Sequence, residues 1–521
     1  MERDEKWPLF RLIIPAFPEV NIFSRVARKT TALGPIMVAS AAHKLWGWRV
    51  EVIDENNCTG APLDENGFPD HSMLQAERPA EVVGFYCGLS STVARVWQLA
   101  RFYKAEGTIT IAGGWHTHYA PEESLRKGID MVVHGDGEMV IRQVLELLKD
   151  GKTLEDVSGI SFLDSQGTCK TNPAETHDEK HLNSLPYPDF GLLRFARIKI
   201  YPIGRIRGCS RKCEFCSVKG KPRWASGQFL FDQVQWLVET RKARSFFIVD
   251  DRLEEDREGA LFFFEKIAHT YGQYLDFTVQ ARLEAAEDQE LLTAMKKAGV
   301  SVTCIGYESP IDEELQAMRK GYSSRDMLRW TKMYHHHGFF IHAMFIWGYP
   351  SRNISENRLD AKERTRRFYR FIRLAHLDTV QILRAIPLIG TELRARLEKE
   401  NRLFPLETVP WEKYDGSYVC FKPDDMNLRE LQEMPTKLMK GFYNPMSLIR
   451  IAFKTAAFPL YFLVRGWDSW YRGWRNDLKK YGGHLFIKGW LKRYHRDNFI
   501  EKIEKIEKMH LFQDQEQGKS Q

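Results

Sequence analysis

Two runs of alternating strand and helix signals, separated by a proline-marked stretch, constrain this chain more than any other feature. Apolar strand-like runs occur at 9–17, 49–53, 82–86, 108–112 and 131–133, with helical patterns at 32–46, from 92 through 104, and after 138. Such alternation requires crossover connections and a parallel sheet with helices on its faces. Residues 1–165 therefore read as a doubly wound, Rossmann-like α/β domain, whose ligand sits beyond the carboxyl ends of the strands. Pro173, Pro186 and Pro188 mark 166–200 as a linker. A second series follows over 201–400, with strands starting at Ile203 and at 245–249, 276–280, 302–307, 339–345 and 379–383; repeated βα units predict a full or partial barrel. Beyond Pro405 the rhythm stops, and 401–521 reads as a helical, basic and aromatic extension, its last helix over 501–509 and its final residues, 513–521, unstructured.

At 521 residues with eight cysteines, the chain can bury sizeable cores without disulfide staples. Cys209, Cys213 and Cys216 cluster, while Cys58, Cys87, Cys169, Cys304 and Cys420 are scattered, a pattern of one metal or redox site plus buried thiols. The charged start, Met1 to Lys6, holds no apolar signal region, and Lys454, Pro459 and Arg465 interrupt the longest apolar stretch near the end. A cytoplasmic location is expected.

The three clustered cysteines stand as Cys-x₃-Cys-x₂-Cys on a loop directly after a strand, in Arg205-Ile206-Arg207-Gly208-Cys209-Ser210-Arg211-Lys212-Cys213-Glu214-Phe215-Cys216. Thiolates are the expected ligands of an iron–sulfur cluster, and three of them leave one iron open. Structural zinc takes four ligands, usually in pairs, and no second pair follows at the required distance. Arg207, Arg211 and Lys212 are placed to favour thiolates.

Cys-x₃-Cys-x-aromatic-Cys after the first barrel strand resembles the radical S-adenosylmethionine (SAM) superfamily. That resemblance implies a [4Fe–4S] cluster on Cys209, Cys213 and Cys216, SAM on the open iron, and a 5′-deoxyadenosyl radical formed by one-electron cleavage of SAM. It also implies an external electron donor such as flavodoxin or ferredoxin. Phe215 is the aromatic of the motif. The run 246–252, with Asp250 and Asp251, resembles the strand end facing SAM's amino group. The run 304–309 places Glu308 near SAM, and 345–349 places Gly348 near the adenine.

Residues 1–165 resemble the cobalamin-binding domain that precedes the barrel in cobalamin-type members of that superfamily. The likeness rests on Thr31-Ala32-Leu33-Gly34-Pro35, the Gly88–Thr92 turn with Ser90 and Ser91, Gly113-Gly114-Trp115-His116, and His134-Gly135-Asp136-Gly137-Glu138. It implies cobalamin contacts at Leu33, Gly34, Ser90, Ser91, Gly113, Gly114, Gly135 and Glu138. The Asp-x-His-x-x-Gly motif that supplies cobalt with a lower histidine is absent, so binding without histidine is expected. His116, His118 and His134 read as hydrogen-bonding groups, and His335, His336 and His337 point apart around a helix end.

Between 441 and 497 eleven Lys/Arg face three Asp, interleaved with Trp467, Trp470, Trp474 and Trp490. That mixture suits a helical cap on the barrel or the surface of a membrane, and less well nucleic acid. The likeness as a whole implies C-methylation of an unactivated carbon on a hydrophobic small molecule. Radical cyclisation or oxidation, as in the anaerobic magnesium-protoporphyrin monomethyl ester cyclase, and a non-catalytic cobalamin or redox sensor are the alternatives.

Overall fold

A computed structural model describes residues 6–150, 157–218, 220–352, 359–458, 466–494 and 498–505. The expected helix beyond 505 and the unstructured end at 513–521 lie outside these.

Strands β1 (Leu9–Ile14), β2 (Arg49–Asp54), β3 (Val82–Tyr86), β4 (Ile109–Gly113) and β5 (Met131–Val133) form the parallel heart of the first sheet. Spatial order runs β5-β4-β3-β1-β2, so the winding reverses between β1 and β3. β1 is buried along its whole length, as a strand covered on both faces must be. Even its charge is compensated inside: the Arg11 guanidinium donates to Glu51 Oε1 at 2.6 Å and to the Leu74 and Arg78 carbonyls.

The end of the first domain and the stretch read as a linker, 166–200, both fold onto this sheet. β6 (Ile160–Leu163) and β7 (Cys169–Thr171) extend one edge antiparallel, and β8 (Leu193–Arg194) closes the other edge parallel to β2. β7 and β8 are short and partly exposed, without the buried apolar run that marked β5, so the prolines around them dominated the sequence pattern.

The second sheet contains β9 (Tyr201–Ile203), β12 (Ser245–Ile248), β13 (Asp276–Ala281), β14 (Val300–Glu308), β15 (Phe340–Trp347) and β16 (Thr379–Arg384), all parallel and in chain order. It is an open, six-stranded partial barrel. Between β9 and β12, β10 (Ile206–Arg207) and β11 (Arg223–Trp224) form an antiparallel ribbon that ties the two ends of the cysteine loop together. Residues of the extension cover the β16 edge. The Tyr443 hydroxyl accepts from Val380 N and donates to Val380 O, each at 2.8 Å, blunting an edge that would otherwise pair with another strand. The helix Trp467–Tyr494 then returns to the first domain, where Trp490 Nε1 donates to Val20 O at 3.0 Å.

Candidate functional site

Two features meet where the domains face each other: a cavity at the reversal point of the first sheet, and the cysteine loop of the barrel. The cavity measures about 350 Å³. Its sheet side comes from β1 and β3, through Phe10, Leu12, Gly84 and Tyr86, where an open α/β sheet leaves room for a ligand. Six of the residues expected at cobalamin line it: Leu33, Gly34, Gly113, Gly114, Gly135 and Glu138. Ser90 and Ser91 do not; both are buried, and Ser90 Oγ hydrogen-bonds His116 Nδ1 at 3.0 Å. Gly114 is required by geometry, since φ is +131° and a side chain would run into the Cys87 backbone. The barrel closes the cavity with Gly204 to Arg207, Val249 and Asp250.

No histidine lines that cavity among the described residues. His118 and His134 instead share a hydrogen bond, Nδ1 to Nδ1 at 3.0 Å, and His134 Nε2 meets Ser161 Oγ at 2.7 Å. Burial, then the neighbouring His118, pushes His134 down to about 4. His335 pairs with Asp378 at 3.1 Å, and His337 bonds the Met333 carbonyl.

The cysteine loop leaves β10 through Gly208, at φ +83°, whose N–H donates to Asp251 Oδ2 at 2.7 Å. Ser210 is held by Glu255 Oε1 through its N–H (2.8 Å) and its hydroxyl (2.7 Å). None of the three cysteines is in a disulfide, and Cys216 senses the charges of Cys213 and Cys209. Burial raises Cys209 and lifts Cys216 to about 11. Arg207 is spent on Asp136 and Glu138, and Arg211 on Glu284 at 3.0 Å, so the cations that favour the Cys209 thiolate are Arg252 and Arg282 instead, and burial outweighs them. Among the described residues no three His, Cys, Asp or Glu side chains stand in metal-ligand geometry. Soft sulfur donors on one short loop, not joined in a disulfide, are still the donor set an iron–sulfur cluster takes.

Glu214, inside the cysteine motif, was invisible as a site residue. Its buried carboxylate receives Tyr349 Oη (2.6 Å), Arg352 Nη2 (2.7 Å) and Arg396 Nε (2.9 Å), anchoring the loop to the end of β15 and to the helix Glu392–Lys399. Its position between two motif cysteines was the one available signal.

Of the residues expected at SAM, Phe215 and Glu308 come together around Lys320. The Lys320 ammonium bonds Glu308 Oε1 at 3.0 Å and lies 6.0 Å from the Phe215 ring centre, within the field of Cys213. Burial opposes that ammonium, but Glu308, with Tyr322 and Cys213, still raises its pKa. Glu308 itself is left-handed, at φ +60°, a conformation that non-glycine residues adopt under constraint. Asp251 sits at the root of the cysteine loop. Asp250 faces the interdomain cavity: its Oδ1 accepts from Arg205 N (2.6 Å) and Ile206 N (2.9 Å), while Oδ2 is buried without a partner. Burial raises its pKa to about 6. Gly348, at φ +68°, is backed by Leu431 of the extension, which occupies the place of any side chain there.

Residues 203–361 match the Radical SAM superfamily model. An uncharacterized methyltransferase of Pyrococcus horikoshii is 23% identical over 77% of this chain and 86% of its own length. The cytidylyl-2-hydroxyethylphosphonate methyltransferase of Streptomyces wedmorensis is 23% identical over 82% and 88%. The anaerobic magnesium-protoporphyrin IX monomethyl ester cyclase of Rubrivivax gelatinosus is 23% identical over 67% and 65%. Among solved structures, the cobalamin-dependent SAM radical enzyme OxsB superposes with a TM-score of 0.64 at 13% identity, covering 98% of this chain and 82% of that one. Residues 203–361 are thus a radical SAM superfamily domain, joined to a doubly wound domain in the fold of a cobalamin-dependent SAM radical enzyme.

Proposed function

We propose that this protein is a cobalamin-dependent radical SAM C-methyltransferase acting on an unactivated carbon of a hydrophobic substrate. The observation that carries it is the cavity at the β1/β3 reversal, walled by the first domain on one side and by the root of the cysteine loop on the other. When bound, a reduced cluster with SAM supplies the radical that removes hydrogen, and cobalamin supplies the methyl group.

In this reading Cys209, Cys213 and Cys216 hold the cluster, and the cavity holds cobalamin against the glycine-lined strand ends. Lys320, Glu308 and Phe215 shape the SAM side of the loop, while Glu214 and its three partners fix the loop's position. Asp250 keeps the β9–β10 turn against β12 and offers Oδ2 to a polar group in the cavity. Burial of these groups excludes water from the reaction. Ser210, Arg211 and Lys212 are exposed on the outer face of the loop, which suits an acidic flavodoxin- or ferredoxin-type electron donor.

The test is anaerobic: cluster-reconstituted, cobalamin-loaded protein with SAM, reductant and a cell lipid or pigment extract. Methylation yields S-adenosylhomocysteine alongside 5′-deoxyadenosine. Production of 5′-deoxyadenosine with a cyclised product and no S-adenosylhomocysteine would replace methylation by cyclisation. Absence of SAM cleavage would leave a sensor.

We further infer a peripheral contact with an anionic membrane through the extension. No described helix is long and apolar enough to cross a membrane. The helices Met446–Ala456 and Trp467–Tyr494 pack together, with Lys454 Nζ on Asp477 Oδ2 at 2.7 Å. Together they leave Ile449, Phe453, Trp467 and Tyr471 exposed. Lys479 lies 3.5 Å over the Phe340 ring at the amino end of β15. The hairpin thus stands at the end of the barrel opposite the cysteine loop, as a tether that keeps the enzyme where apolar substrates partition.

A further inference from the structure

The walls of the cavity and the root of the cysteine loop are not merely adjacent; one side chain belongs to both. Arg207 lines the cavity and precedes Cys209 by two residues, separated from it only by the left-handed Gly208. Its guanidinium forks across the domain boundary. Nη1 donates to Asp136 Oδ1 at 2.7 Å, and Nη2 to Glu138 Oε1 at 2.7 Å, with Nη1 also 3.1 Å from Glu138 Oε2. Both carboxylates are buried where β5 leads into the helix Gly137–Asp150, Asp136 just before the helix and Glu138 in its first turn, and this junction forms cavity wall through Gly135, Gly137 and Glu138.

The junction has little freedom of its own. Arg223, paired with Arg207 across the ribbon, donates to Asp136 Oδ2 at 2.6 Å and Oδ1 at 3.2 Å, and His177 Nδ1 lies 3.0 Å from Asp136 Oδ2. A planar guanidinium engaged on two carboxylates fixes orientation as well as distance, which an ammonium on a flexible stem does not. Displacement of residues 135–138 by an occupant of the cavity therefore reaches Gly208 and Cys209 through rigid, charge-assisted bonds.

The geometry points to Arg207 as a positioning residue that transmits occupancy of the interdomain cavity to the cysteine loop, holding the two halves of the site in register. This rests on the reading of the cavity as a cobalamin site. A conserved charge alone would not suffice, so Arg207→Lys separates the fork from the ion pair, and Arg207→Gln removes the charge.

The experiment is amide hydrogen exchange on the full-length, cluster-reconstituted protein with and without hydroxocobalamin. In the wild type, hydroxocobalamin slows exchange in 135–138 and in 205–209 together. In both variants the slowing at 135–138 persists, while that at 205–209 falls by about tenfold or more, the scale of one lost charge-assisted bond. A merely structural pair would loosen both segments equally and independently of hydroxocobalamin. Retained transmission to 205–209 in Arg207→Lys and Arg207→Gln overturns the inference. If the wild type takes up no hydroxocobalamin, the cofactor reading falls by itself. The fork is then judged without ligand, where unchanged exchange at 205–209 in Arg207→Gln overturns it.

Discussion

Tyr349 Oη donates to the carboxylate of Glu214 at 2.6 Å, joining the end of β15 to the middle of the cysteine motif. Glu214 is 1% exposed and also receives Arg352 and Arg396. Its removal takes the shared carboxylate from Arg352 and Arg396, leaving Arg396 with Glu400 at 3.5 Å and backbone carbonyls. Glu214→Ala is expected to cost about 3–5 kcal/mol, the scale for breaking a buried pair. Tyr349→Phe, which removes one bond to a charged group, is expected to cost about 1.5–3 kcal/mol. Denaturant titration of both variants checks the order; equal stability of Glu214→Ala and wild type would show that the arginines find other partners.

Cys209, Cys213 and Cys216 together are expected to hold the cluster. Reconstituted wild-type protein should carry about four irons per chain in this site, and the triple Ala variant none, with SAM cleavage abolished. Cys58, Cys87, Cys169 and Cys420 lie outside the loop and should be dispensable. Iron analysis and 5′-deoxyadenosine quantitation decide; retained cleavage in the triple variant removes the assignment.

Asp250 is expected to make stability fall as pH rises from about 4 to above 6. Its folded-state pKa is raised, by burial, from 3.8 to about 6. The unfolded chain loses this proton first, so folding is penalised progressively through that window and fully above it. A shift of this size corresponds to roughly 3 kcal/mol at most. Asp250→Asn keeps an acceptor for Arg205 N and Ile206 N and removes the charge. Its stability relative to wild type should therefore improve between pH 4 and pH 8; a pH-independent difference would show that Oδ2 is solvated or paired.

Cobalamin is expected to bind the full-length protein without a histidine on cobalt, since no described cavity residue is histidine. Electron paramagnetic resonance of the cob(II)alamin form should lack nitrogen splitting from a protein imidazole. Such splitting, lost in His116→Ala, His118→Ala or His134→Ala, would mean that a loop rearranges to bring that ring in.

Much of this architecture was legible in the sequence because its strands are buried and regularly spaced. The runs at 82–86 and 131–133 match β3 and β5 residue for residue, and the six barrel strands fall within a few residues of expectation. Edge strands β6, β7 and β8 were not legible, because their partly exposed residues lack the buried apolar run that marked the equally short β5. Side-chain destinations were less legible still. Arg207 looked like a partner for thiolates, yet its acceptors lie 71 and 69 residues earlier in the chain, in another domain. Lys320 gave no signal either, because its ion pair with Glu308 depends on a left-handed turn at the strand end rather than on a motif.

The exposed hairpin of the extension should bind anionic vesicles. Ile449 and Phe453, one turn apart, are 62% and 70% exposed, and Trp467 stacks on Tyr471 nearby. Exposed aromatic and aliphatic side chains of this kind insert at headgroup depth. Eleven Lys/Arg against three Asp between 441 and 497 supply the attraction, about 1 kcal/mol for each cation that reaches the surface. Not all can: Arg450 and Lys454 are paired with Asp477, and Lys479, lowered by burial to about 8, is turned onto Phe340. The remaining cations must then act together with the apolar face. Full-length protein should sediment with phosphatidylglycerol vesicles at low salt and not with phosphatidylcholine vesicles. Release is expected near 1 M salt, where the screening length falls to about 3 Å. Ile449→Asp with Phe453→Asp alters side chains that face solvent, so the fold should persist while sedimentation is lost. If wild-type protein stays in the supernatant at low salt, the hairpin is only a cap on the barrel, and the argument for a membrane-resident substrate goes with it.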